Sequence, residues 1–213
     1  MNQLFPELYQ FTIHIQQMHF TIHQYLLLAN DPILISTGTI QQSEKILPEI
    51  RKLLNGNDLK YIFVSHMESD ECGGLNLFLK EFPNVITVCS ELTSRELPGY
   101  GFIGKIIKQK NNEILNGNGF SIKFIEYPSE VHLQNGLIFY EEKRKILFSS
   151  DLMLSFGDAV GEIKESKWEK EVESINIERI PNKEMLEKIK IELNKISPQF
   201  VAVGHGYCIK CKE

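Results

Sequence analysis

Apolar positions along the chain fall into two kinds of pattern. Residues 11–28, FTIHIQQMHFTIHQYLLL, set β-branched and aromatic residues in partial alternation, broken at QQM, and PILIST adds another short apolar run. Period-two patterning of this kind predicts three strands in succession. In SEKILPEIRKLLNGN the spacing changes: Ile46, Ile50 and Leu54 recur every fourth position, from a Ser cap at Ser43 to an NGN stop. That is a helix, with Pro48 inside it. LKYIFVS is then a continuous apolar strand, GGLNLFLKEF a helix and NVITVCS a second buried strand, which together make a βαβ rhythm.

The second half repeats the rhythm more loosely. GFSIKFIEY, GLIFYEE and KILFSSD read as strands. PNKEMLEKIKIELNKISP is a helix opened by Pro181 and closed before Pro198, and QFVAVGHG a last strand. Residues 99–118 and 154–180 show neither period and are expected to form loops over a site. Strands and helices alternate in both halves, so the fold class is α/β. No Pro-, Gly- or Ser-rich linker and no short repeat divides the chain, and one domain over residues 1–213 is the expectation.

Composition narrows the function classes. With 42% hydrophobic content over 213 residues, the chain buries a full core and is not disordered. The formal net charge is -5 and the basic runs EEKRK and KIIKQK are short, so no nucleic-acid partner is expected. The apolar run YLLLA is five residues long, far short of the ~20 that span a bilayer, and MNQLFPELYQ lacks the basic and apolar regions of a leader. These features imply no membrane partner and a soluble, cytoplasmic protein. Cys72, Cys89, Cys208 and Cys211 are read as reduced thiols, since a chain with its own core does not need a disulfide framework.

The candidate chemistry is positional. In YIFVSHMESDECGG, residues 61–74, a buried strand gives way to His66, Glu68, Asp70 and Glu71. Like charges about 4 Å apart repel by roughly 4 kcal/mol at an effective dielectric near 20, so such a cluster is either spread in water or gathered around a cation. The bland reading is an acidic helix N-terminus capped by Ser69 or Asp70. It leaves three coincidences unexplained. His132 follows IKFIEY by a short loop, Asp151 follows KILFSS and His205 follows FVAVG. Each potential ligand lies just past the C-terminal end of a strand, where layered α/β folds gather their sites.

On HMESDE, His132, Asp151 and VGHG, the chain resembles the metallo-β-lactamase superfamily over most of its length. The resemblance implies an αββα sandwich and a metal loop of the form H-x-H-x-D-H after a strand. Here the loop is H-x-E-x-D-E, which is similar to the flavo-diiron and oxygen-binding di-iron branch, where a Glu replaces the second His. Carried over by position, His66, Glu68 and His132 hold one metal, Asp70 and His205 the other, and Asp151 bridges. Glu71 is a weak ligand or stands behind one. The extra carboxylate fits this branch: two divalent cations carry four positive charges, which three carboxylates and one hydroxide neutralise. Hard oxygen ligands also favour iron or manganese over zinc by ligand type. Residues 66, 68 and 70 are expected to face one way along an extended chain.

Other residues are weaker candidates. Ser36 in LISTGT stands where chains of the resembled family usually carry an Asp that supports the metal loop, and His23 falls near where flavo-diiron-like chains have the Asn of an N-S-Y-L segment. His14, His19 and His23 are expected to be structural or exposed, and Trp168 and Tyr207 to pack. Cys208 and Cys211 form a C-x-x-C, either incidental thiols of a last strand or a redox pair.

The flavo-diiron family couples its metal domain to a flavodoxin domain. None is expected in 213 residues, and no bound flavin. The resemblance therefore implies a di-iron protein that binds or reduces O₂ or NO, as a sensor or as a reductase fed by a separate electron-donor protein. A homodimer is the expected assembly. No catalytic residue beyond the metal ligands is expected. The alternatives are a binuclear zinc hydrolase acting on an ester, thioester, lactone or phosphodiester, and a non-catalytic signalling module.

Overall fold

Thr39 begins the first long helix by a reciprocal pair of hydrogen bonds. Its hydroxyl accepts from the Gln42 amide at 3.3 Å, and the Gln42 side chain accepts from the Thr39 amide at 2.9 Å. The computed structural model describes residues 1–128 and 136–212 and places this helix, α1, at Ile40–Leu54. It starts a turn earlier than the sequence suggests. Ser43 is inside the helix and donates to the Thr37 carbonyl at 2.7 Å instead of capping. Pro48 lies on the exposed side, where the carbonyl it leaves without an N–H meets water. Asn55 closes the helix in the left-handed conformation, φ 47°, with its amide on the Arg51 carbonyl.

The described residues form two compact units. The first holds residues 1–13, 22–109 and 117–120, and the second 14–21, 110–116 and 121–213. A seven-stranded sheet is ordered β1 (Asn2–Phe5), β2 (Leu8–Ile15), β3 (Phe20–Leu27), β4 (Ile33–Ile35), β5 (Tyr61–Phe63), β6 (Ile86–Ser90) and β7 (Lys105–Gln109). From β4 to β7 the strands are parallel, as βαβ crossovers require. The crossovers carry α1, then α2 (Ser69–Cys72) with α3 (Leu75–Glu81), then α4 (Glu91–Glu96). Ile46, Ile50 and Leu54 of α1 join Leu34, Ile62, Val64 and Phe78 in one buried cluster. The four-residue spacing in the sequence is thus the buried stripe of the helix.

A second seven-stranded sheet is ordered β12, β14, β13, β11, β10, β9, β8. Its strands are β8 (Ile114–Gly117), β9 (Phe120–Tyr127), β10 (Gly136–Glu141), β11 (Ile146–Ser150), β12 (Ile163–Lys167), β13 (Phe200–Val203) and β14 (Cys208–Lys212). β9, β10 and β11 run antiparallel, whereas β11 and β13 are parallel, with Ile146 opposite Phe200 and Phe148 opposite Ala202. Two adjacent strands therefore end at the same edge. α5 (Trp168–Ser174) and α6 (Lys183–Leu193) complete the second half, and Asn182 rather than Pro181 caps α6 through the Met185 amide.

The stretches expected to be loops contain β7, β8, β12 and α5. Among the described residues no helix is long and apolar enough to cross a membrane.

Candidate metal centre

In the first unit, β5 runs into Val64 and Ser65, the chain bends at His66 and Met67 with the Glu68 amide 3.2 Å from the His66 carbonyl, and Glu68 alone is extended again, at φ -132° and ψ 158°. There it turns into α2, so Asp70 and Glu71 occupy the first turn of a short helix rather than an extended chain. His66 and Glu68 bring their side chains together, but across a bend rather than along the expected extended chain, and Asp70 departs from the expectation altogether. The acids also favour a helix N-terminus, as the bland reading held, although no side chain caps α2. His66 is buried, and its Nε2 lies 3.5 Å from Oε2 of Glu68, whose side chain is 30% exposed.

Glu71 has a specific setting. Ser36, itself at φ 60°, donates its hydroxyl to Glu71 Oε2 at 2.5 Å. The Glu71 carbonyl accepts from the Thr37 amide at 2.8 Å, and the Gly74 amide donates to Thr37 Oγ1 at 3.0 Å. The loop after β4 thus holds the acidic loop after β5 through both backbone and side chain. A Cβ at Gly74 would overlap the Ser43 side chain, which accounts for a glycine directly after the acidic run. The same surroundings push the Cys72 thiol up to about 12, through burial first and then the Glu71 charge.

In the second unit, Ser150 ends β11 in a positive-φ conformation, 45°, that a residue with a Cβ rarely adopts, and Asp151 opens a tight 3₁₀ turn to Met153. Asp151 is buried. From the end of parallel β13, His205 places Nε2 3.1 Å from Asp151 Oδ1. Gly204 fits between them: its amide donates to the Ser150 carbonyl at 3.0 Å, and a Cβ there would lie 3.3 Å from Asp151 Oδ1.

The other ring nitrogen decides the chemistry. His205 Nδ1 lies 3.0 Å from the Thr21 carbonyl, an acceptor, so Nδ1 carries a proton, and Nε2 meets Asp151 either as the second N–H of an imidazolium or as a lone pair across a cation. A lone pair and a carboxylate oxygen at 3.1 Å repel unless a proton or a metal cation lies between them. Metal-ligating histidines make this same Nδ1–H to carbonyl bond. Phe20 stacks on the ring at 4.4 Å, and the Gly206 amide donates to Thr21 Oγ1 at 3.0 Å, so the imidazole is clamped on two sides. Oxygen and imidazole donors at strand ends fit a first-row divalent ion.

His132 lies outside the described residues. Cys208 and Cys211 both stand on β14, as a last strand, and the redox-pair expectation is corrected. Positions three apart on a strand face opposite ways and sit ~10 Å apart, beyond disulfide reach. Neither thiol forms a disulfide, and burial raises that of Cys211 to about 11. His23 is buried with Nδ1 2.9 Å from Thr12 Oγ1, and Trp168 donates to the Leu193 carbonyl at 3.3 Å; both are structural. Lys164 sits 4.3 Å from the centre of the Tyr207 ring. The roles of Thr21 and Phe20 were not visible in sequence, because nothing local to FTIH marks a residue that contacts position 205.

The model of the family "ODP family beta lactamase" matches residues 20–206. The chain is 25% identical over 133 residues to "Putative diflavin flavoprotein A 2" of a Nostoc species, covering 62% of this chain and 23% of that protein. It is 24% identical over 133 residues to "Anaerobic nitric oxide reductase flavorubredoxin" of Vibrio vulnificus, covering 61% of this chain and 26% of that one. The chain therefore spans about a quarter of the length of these curated relatives. Among solved structures, rubredoxin oxygen:oxidoreductase from Desulfovibrio gigas superposes with a TM-score of 0.80 at 15% identity, over 99% of this chain and 57% of that one. The fold is that of the matched part of this oxygen:oxidoreductase.

Proposed function

Because the chain belongs to the ODP family of β-lactamase-type proteins, we propose that it is a di-iron protein that binds or reduces O₂ or NO in the cytoplasm, drawing electrons from a separate redox protein. Its relatives carry names for nitric oxide reduction and oxygen reduction, and a rubredoxin- or flavodoxin-type protein is the class of donor that those names suggest. His66, Glu68 and His132 would hold one iron and Asp70 and His205 the other, with Asp151 available to both. When bound, the irons would supply electrons for reduction of a diatomic ligand.

The chain's own residues set the conditions. Thr21 fixes the tautomer of His205 so that Nε2 is the donor atom, and Phe20 covers the ring against water. Ser36 keeps the Glu71 carboxylate turned toward the loop after β4, as an oriented acceptor beside Asp70. Glu68, partly exposed, adds a hard oxygen where a zinc hydrolase would carry imidazole, and so favours iron by ligand type. One observation carries the reading: a buried Asp151 oxygen and the Nε2 of a histidine whose Nδ1 is committed to a carbonyl lie 3.1 Å apart at two adjacent strand ends, a spacing that two ligands of one cation would take.

The test is anaerobic reduction of the iron-loaded protein with a rubredoxin and its reductase, followed by stopped-flow mixing with O₂ or NO. Donor-dependent consumption that Asp151→Ala abolishes supports the proposal. Turnover of ester or phosphodiester substrates without any reaction with either gas would replace it with hydrolysis.

A further inference from the structure

A cavity of about 220 Å³ opens in the second unit, and neither Asp151 nor His205 lines it. Its walls come from three stretches of chain. β12 and β14 run parallel with Lys164 opposite Ile209, so Lys164 and Tyr207 border one side. The Tyr207 amide donates to Ser155 Oγ at 3.2 Å, and the exposed Lys164 ammonium lies 4.3 Å from the centre of the Tyr207 ring. After α5 the chain turns, with the Arg179 amide on the Asn176 carbonyl at 3.0 Å. Half-buried Arg179 then reaches back, and its Nη2 donates to the Leu154 carbonyl at 3.0 Å. Among the described residues that is the guanidinium's one hydrogen bond, and no carboxylate stands within ion-pair distance of Arg179 or Lys164.

Two cations at one small cavity suit an oxyanion. A guanidinium held at one nitrogen keeps its other N–H groups in a fixed fork that matches carboxylate or phosphate. Charge and lining choose between these. Glu171 also borders the cavity, so its charged groups leave one net positive charge and balance a monoanion, whereas a phosphate group carries about -1.5 to -2 at neutral pH. Leu152, Ile175 and Ile209 make much of the remaining wall, which an apolar tail covers and a bare ion would leave to water. The volume is below the ~300 Å³ at which sites for drug-sized ligands begin, so that tail is short. We propose that this cavity binds a small organic monocarboxylate, its carboxylate held between Arg179 and Lys164 and its short apolar tail against the aliphatic wall. The Leu154 amide donates to the Asp151 carbonyl and the Ser155 amide to the His205 carbonyl, each at 3.2 Å, so the wall that receives the acid is bonded to the backbone of both residues.

The experiment is isothermal titration calorimetry on the full chain, as purified and again after chelation, with butyrate as the probe and butanol and inorganic phosphate for comparison. Butyrate should bind at one site per chain, with or without metal, at least tenfold more tightly than butanol or phosphate. Arg179→Gln should weaken butyrate at least tenfold, and Lys164→Gln by a smaller factor, because an exposed ammonium stays strongly hydrated. Arg179 also steadies the loop at Leu154, so circular dichroism checks that its variant is folded. Lys164→Gln, at an exposed position, tests the site without disturbing that bond. Binding confined to tens of millimolar, an affinity unchanged in either variant, or phosphate bound as tightly as butyrate would each overturn the proposal. Butyrate binding that chelation abolishes would also overturn it, by placing the carboxylate on a metal ion.

Discussion

Ser36 and Glu71 join the loops after β4 and β5 through one buried bond. The resemblance puts a carboxylate at position 36, whereas here position 36 supplies the hydroxyl and Glu71 the carboxylate. Glu71 is buried, so Ser36→Ala leaves a buried acceptor short of a donor and should cost about 1–3 kcal/mol. Chemical denaturation measures it, and a loss within error would mean that the bond contributes little. Position 36 was legible in the sequence as a departure from the family pattern, but its partner was not, because the contact joins residues 35 apart.

The thiols set a pH dependence at the same scale. Burial pushes Cys89 from 9.0 up to about 12 and Cys211 to about 11. The unfolded chain loses these protons first, so it binds fewer protons than the folded chain as pH rises above 9, and stability falls through that window. Denaturation midpoints on either side of pH 9 should show the decline, and Cys89→Ala should make it shallower. A slope unchanged by that substitution would assign the loss to other groups.

At the level of elements, pattern strength decided what the sequence disclosed. α1 and the parallel strands β5 and β6 bury a whole stripe or both faces, and their apolar periods were plain. The edge strands β7 and β12, KIIKQ and IKESK, put lysines among few buried residues, and their signal fell below that of a loop. The start of α1 was misplaced because Thr39 and Gln42 make a capping box one turn before the serine. Thr39→Ala should therefore destabilise the protein by about 1 kcal/mol and Ser43→Ala through a different contact, its bond to the Thr37 carbonyl. Ile50→Ala, at a fully buried position facing the first sheet's cluster, should cost about 2–5 kcal/mol, since the site cannot collapse around a missing side chain. Thermal or urea unfolding of the three variants orders these effects, and an Ile50→Ala protein as stable as wild type would mean that α1 is not the lid of that core.

For the whole molecule, strand ends carry the proposed chemistry. The sequence placed His66, Asp151 and His205 correctly at the ends of β5, β11 and β13, because a ligand after an apolar run is a local pattern. What was not legible is the support: the Thr21 carbonyl that fixes His205, and the Ser150 and Gly204 geometry that turns Asp151 inward. These are tertiary contacts with no signature of their own. The same support leads to a prediction for metal selectivity. Glu68→His exchanges a carboxylate for imidazole and should shift the purified protein from iron toward zinc, as metal analysis of both proteins would show.

The most direct measurement is the metal content of protein purified without oxygen from iron-supplemented cells, by inductively coupled plasma mass spectrometry, with absorbance recorded before and after air. About two irons per chain, lost in His205→Ala and Asp151→Ala, with a spectrum that changes on oxygen exposure, is the expected result. Zinc alone, with a spectrum indifferent to air, would contradict a di-iron centre and leave Glu68 as a carboxylate ligand in a zinc protein.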